Sequence, residues 1–179
     1  MIEPLPKTAP APCGSPDRSV IGTIHDDALP IYIREATLEQ ILDYSENDTS
    51  QEIGGFLLGG LHVDETEYIE IRHFLPACDA RSRMASLTFT HKTWARLTRD
   101  VDEQFPDEVV LGWHHTHPNF GIFLSAYDLF IHRHFFSEPW QVALVVDPHR
   151  QEFGFFQWRQ DQVVDCGFIC VSEPQAATS

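Results

Sequence analysis

Short β-rich runs and segments of helical periodicity interleave irregularly between residues 29 and 170, and this constrains the fold more than any other feature. Leu29 to Ile33 reads as a short strand. Leu38, Ile41, Leu42 and Ser45 then fall at i, i+3, i+4 and i+7, one face of a helix that the polar stretch SENDTSQ ends. GGFLLGG and EYIEIRHF read as two strands joined by a turn at HVDET, most simply a hairpin. Trp94, Leu97, Val101 and Phe105 recur at helical spacing behind Thr90, a good N-cap residue, and Pro106 closes that helix. Val109 to His115 is apolar and β-rich, and SAYDLFIHRHFF forms a third helical pattern that stops near Pro139. QVALVV and EFGFFQW follow as strands around the turn DPHRQ, with QVVDCGFI as a last strand. A doubly wound fold needs regular strand-helix alternation. This order predicts an α+β fold with a mixed β-sheet flanked by helices.

At 179 residues the chain has the length of one domain, expected over residues 25–172. Pro4, Pro6, Pro10, Pro12 and Pro16 crowd residues 1–24, which read as a flexible Pro-rich leader, and residues 173–179 read as a loose tail. The 12 Lys and Arg against 27 Asp and Glu give a formal charge of -15, which repels phosphate backbones and anionic lipid. General nucleic-acid and membrane-surface binding are excluded on that ground. Cys13, Cys78, Cys166 and Cys170 contain no C-x-x-C pair, so reduced thiols in a cytoplasmic protein are expected. The sequence has no apolar run of signal-peptide or membrane-helix length.

The informative segment is GWHHTHPNFGIFLSAYD, residues 112–128. With His115 and His117 at a strand end, the two-residue period points both imidazoles to one face, where they can share a metal. Asp128, eleven residues beyond His117 in the first turn of the next helix, can supply a third ligand. Two His and one carboxylate would leave a fourth tetrahedral position for water, as catalytic zinc sites do. On these residues alone, plainer readings remain open. Strand-end histidines are common, and Ser125-x-x-Asp128 is also a helix capping box. Trp113, Phe123 and Phe130 are expected in the core, His114 likewise, and His132, His134 and His149 on a solvated face.

The segment resembles the signature of the JAMM (MPN-plus) metalloproteases: His-x-His-Pro, then a Ser followed two residues later by Asp, with an upstream Glu. His115, His117, Pro118, Ser125 and Asp128 match in order and spacing, while Thr116 stands where Ser is usual. EIGGFLLGG, residues 52–60, is similar to the family's upstream pattern and makes Glu52 the counterpart of its catalytic carboxylate, and VALVVDP and GFFQW resemble the strands behind the metal site. No H-E-x-x-H helix and no nucleobase-deaminase pattern competes with it.

The resemblance implies one zinc held by His115, His117 and Asp128, with Glu52 as general base and Ser125 as oxyanion donor. It also implies hydrolysis after the C-terminal glycine of ubiquitin or a ubiquitin-like protein, in deconjugation or precursor maturation. The partners would be that protein and its conjugates, with the activating and conjugating enzymes of the same pathway. Two alternatives stand beside this: a peptidase for a sulfur-carrier protein adduct, and a partner-binding MPN scaffold. PACDARSRMASLTFT, residues 76–90, occupies the place of the family's first insertion, which can form a substrate-docking strand or be no more than a solubilising loop. The second insertion has no counterpart, as in compact prokaryotic members.

Overall fold

The computed structural model describes residues 2–11 and 20–173. Ten strands form one mixed sheet. In chain order the elements are β1 (Leu5–Pro6), β2 (Val20–Ile21), β3 (Ile31–Arg34), α1 (Glu35–Ser45), β4 (Gly54–Val63), β5 (Glu67–Pro76), β6 (Arg81–Arg83), β7 (Ser86–Thr88), α2 (His91–Gln104), β8 (Val109–Thr116), α3 (Ala126–Phe135), β9 (Val142–Asp147), β10 (Glu152–Arg159), β11 (Gln162–Cys166) and β12 (Phe168–Val171). Across the sheet the order is β11-β10-β9-β8-β4-β5-β3-β12-β2, with β1 beside β4, while β6 and β7 form a separate two-stranded ribbon. The expected α+β architecture with a mixed sheet and three flanking helices is what the chain adopts.

The expected last strand, QVVDCGFI, is two strands. β11 pairs with β10 and β12 pairs with β3, although only Gly167 separates them in the chain. Strands far apart in the sheet order are thus neighbours in sequence, which requires the sheet to curl. Phe155 and Phe168 meet at 5.0 Å between ring centroids across this junction.

Each face of the sheet buries its own apolar cluster. Ile31, Ile33, Ile69, Ile71, Leu111 and Leu144 pack with Leu38 and Ile41 of α1. Phe56, Trp113, Ala143 and Val145 pack with Leu97 of α2 and with Ile131 and Phe136 at α3. Alternation along β8 changes phase between these faces: Leu111 belongs to the α1 face and Trp113 to the α2/α3 face. The cause is a β-bulge. Along β4, Leu57 is opposite Gly112 but Leu58 is opposite Val110, so Leu111 has no partner.

Part of the stretch read as a flexible leader joins the sheet. β8 covers β4 only over Gly54–Gly59, and β1 pairs in parallel with His62–Val63 on the edge left open. The Lys7 ammonium bonds to buried Glu70, and Tyr68 Oη donates to the carbonyls of Lys7 and Thr8. β2 adds to β12. Residues 12–19, with Cys13, and 174–179 of the expected tail lie outside the described residues. Cys78 and Cys166 are free thiols. No helix among the described residues is long and apolar enough to cross a membrane.

Candidate metal centre

The bulge at Leu111 sets which side chains β8 presents. Beyond it, Trp113 and His115 point to the α2/α3 face and His114 to the α1 face. There His114 is fully buried, with Nε2 at 3.0 Å from Ser45 Oγ, beside Tyr44 and Phe74. Burial pushes its pKa down to about 3, so it is the neutral core histidine that the sequence predicts. His117 follows the strand with its amide donating to Val146 O.

Asp128 arrives from the other side. Ser125 caps α3: its Oγ accepts from Asp128 N at 3.1 Å, and Asp128 Oδ2 accepts from Ser125 N at 2.7 Å. The capping box is formed and is compatible with the ligand reading, because the cap fixes the carboxylate at the positive end of the helix dipole. His115 Nε2 and His117 Nε2 are 3.1 Å apart, and Asp128 Oδ2 lies 3.4 Å and 3.2 Å from them. All three residues are buried.

Glu52 joins this group through register. Gly54 is opposite His115, and Thr116 N donates to Ile53 O, so the next step places Glu52 across from His117. The Thr116 hydroxyl, where Ser is usual in the resembling family, accepts from Ile53 N at 2.9 Å and ties the two strands beside the site. The close approach needs Gly54, where a Cβ would sit 2.1 Å from His114 O. Glu52 is 4% exposed, its Oε1 is 3.8 Å from His117 Nε2, and its Oε2 is buried without a partner. Burial pushes its pKa up to about 7, against the pull of His117.

The donor set fits a zinc ion. Ligands about 2 Å from a tetrahedral ion lie roughly 3.3 Å from one another, close to the 3.1 to 3.4 Å found here. His117 Nδ1 faces Gly121 O at 3.2 Å. A carbonyl only accepts, so the proton sits on Nδ1 and Nε2 turns a lone pair into the cluster. Burial opposes the ionised form of Asp128, yet the nearby imidazoles of His115 and His117 and the Ser125 amide hold its carboxyl well below the usual range. An anionic oxygen and two imidazole nitrogens so close together call for a cation.

Three supporting residues escaped the sequence reading. His132, expected on a solvated face, is fully buried and its Nδ1 accepts from Trp113 Nε1 at 3.0 Å. The Trp113 ring stacks on His115 at 4.3 Å, so His132 and Trp113 together hold the His115 ring. Because α3 buries Asp128, Ile131 and His132, the opposite face carries Tyr127 and Phe130. Phe130 is thus 50% exposed, and Phe123, which precedes the helix, is 44% exposed, where core positions were expected. Asp147 is the third. Its Oδ1 accepts from the amides of Asn119, His149 and Arg150, and its Oδ2 from Gly121 N, which fixes the carbonyl that orients His117. Gly121 has φ +85°, a conformation few other residues adopt. The VVDP stretch was the available signal, but an Asp in a turn gives no hint of which amides it will collect.

Residues 27–138 match the family described as JAB1/Mov34/MPN/PAD-1 ubiquitin protease. Similar proteins include the ubiquitin carboxyl-terminal hydrolase RPN11 of Saccharomyces cerevisiae, 25% identical over 83% of this chain and 49% of its own length. The 26S proteasome non-ATPase regulatory subunit 14 of Dictyostelium discoideum is 30% identical over 69% of the chain and 40% of its length. A protein of the archaeon Theionarchaea archaeon (strain DG-70-1) named NAD(+) hydrolase TcpA is 27% identical over 71% of the chain and 36% of its length. The chain thus spans less than half the length of these relatives. Among solved structures, protein DSY2949 of Desulfitobacterium hafniense has the same fold, with a TM-score of 0.62 at 20% identity over 81% of this chain and 95% of that one. With more than half of its residues in the match, the chain belongs to the JAB/MPN family of JAB1/Mov34/MPN/PAD-1 proteins.

Proposed function

We propose that the chain is a cytoplasmic zinc-dependent isopeptidase or peptidase that cleaves after the C-terminal glycine of ubiquitin or a ubiquitin-like protein, with residues 25–172 as its catalytic unit. The observation that carries this reading is the convergence of His115, His117 and Asp128 beside Glu52, whose Oε2 is buried and unpartnered. Zinc bound by the three residues supplies Lewis acidity toward a carbonyl and lowers the pKa of a water. Glu52, buried beside His117, takes a proton from the attacking water and returns it to the leaving amine. Ser125 Oγ accepts from Asp128 N through one lone pair, and its hydroxyl proton is then turned to meet the oxyanion. No covalent enzyme intermediate is required.

A folded modifier gives remote binding energy that positions the scissile bond. The test is a fusion of a ubiquitin-like protein cleaved by zinc-loaded protein, compared with an unstructured peptide of the same last residues. Cleavage directly after the terminal glycine, much faster in the fusion, is expected. Equal rates would leave a general peptidase, and no cleavage of any fusion by protein carrying one zinc would favour the scaffold alternative.

A further inference from the structure

The β6–β7 ribbon carries two arginines in an acidic chain. Nearby Lys92, Arg96 and Arg99 each pair with Asp79 or Asp100. Arg81 and Arg83 are exposed, with no carboxylate partner among the described residues. The register pairs Arg81 with Thr88, Ser82 with Leu87 and Arg83 with Ser86. Alternation then puts both arginines, Ser86 and Thr88 on one face and Leu87 on the other.

That face is held beside the metal centre by three contacts. Leu87 is 2% exposed and packs against Gly54, Glu52 N donates to Arg83 O at 2.7 Å, and Thr88 Oγ1 lies 2.9 Å from Tyr127 Oη in the first turn of α3. Arg81, Arg83, Ser86, Thr88 and Tyr127 line an open cavity of about 270 Å³. A loop serving only solubility would not need to be clamped to the backbone of the buried carboxylate.

We propose that this face is a subsite for acidic side chains of the substrate, carried on an extended segment next to the scissile bond; the inference rests on the hydrolase reading above. Arginines two residues apart on one strand are about 6.6 Å apart along it. An extended peptide gives its own alternate side chains that same spacing, so two carboxylates meet two guanidinium forks in register. A single small anion such as phosphate needs the guanidiniums to converge, whereas the pleat holds their stems side by side. The overall charge of -15 repels anions in general, so the pair selects a local pattern instead of gathering polyanions.

The experiment uses the zinc-loaded full chain and two labelled peptides ending in glycine, identical except for Asp or Asn at two alternate positions. In fluorescence anisotropy at low salt the Asp peptide should bind at least about tenfold tighter, and the gap should shrink as salt rises. It should vanish in the double variant Arg81→Gln/Arg83→Gln and persist in large part in Arg81→Lys/Arg83→Lys. Equal affinities, no binding of the Asp peptide, a gap that survives the Gln variant, or stronger competition by inorganic phosphate than by the Asp peptide would each overturn the subsite. Binding needs no turnover. An Asp preference in protein that cleaves no fusion leaves the subsite standing and removes the hydrolase reading, while cleavage without the preference does the reverse.

Discussion

Replacing Glu52 with Gln should move activity and stability in opposite directions. The carboxyl is buried, its Oε2 lacks a partner, and its pKa rises from 4.5 to about 7. An acid whose folded-state pKa lies above its unfolded value holds its proton more tightly when folded. The penalty for ionising it is therefore absent below pH 4.5, grows as pH rises toward 7 and is complete above that. The rise corresponds to about 3 kcal/mol. Gln fills the same space but does not titrate, so the variant's stability relative to wild type should increase by about 3 kcal/mol between pH 4.5 and roughly pH 8.

Urea unfolding of metal-free protein in a chelator buffer, at both ends of that range, measures the change, and titrating groups that do not interact with Glu52 cancel between the two proteins. In the zinc-loaded state Glu52→Gln should retain its metal and lose about 100-fold or more in turnover. A stability difference that is flat with pH would refute the strained-carboxylate argument. Undiminished turnover would refute the base role, and loss of zinc would make Glu52 a ligand.

Asp128→Asn replaces a charged ligand by a poorer neutral donor, so it should lose zinc on dialysis under conditions where Glu52→Gln keeps it, as metal analysis of the two proteins would report. Asp147→Asn should cost about 1–3 kcal/mol, because one amide oxygen cannot serve four backbone N–H groups split between Oδ1 and Oδ2. Through Gly121 and His117 it should also weaken zinc binding by about 10- to 100-fold in a competition titration; lower stability with unchanged zinc affinity would make Asp147 a turn-building residue alone.

The sequence by itself determined the elements and the grouping of His115, His117 and Asp128, because both are written in local spacing. Thr90 and Ser125 cap the helices that their positions predict, and the hairpin of β4 and β5 forms where the two apolar runs flank a polar turn. His115, His117 and Asp128 lie within one short segment, so a strand end and the following helix cap are enough to bring them together. Tertiary structure decided what depends on partners distant in the chain. Glu52 reaches His117 only through the antiparallel register of β4 and β8, and His132 is buried where Trp113, from another element, donates to its Nδ1. The parting of β11 from β12 at Gly167 follows from the curl of the sheet. Most of all, an uninterrupted two-residue alternation would put Trp113 and His115 on the face of Leu111, and the bulge turns them to the other. A bulge depends on how two strands pair, and no periodicity within one strand records it.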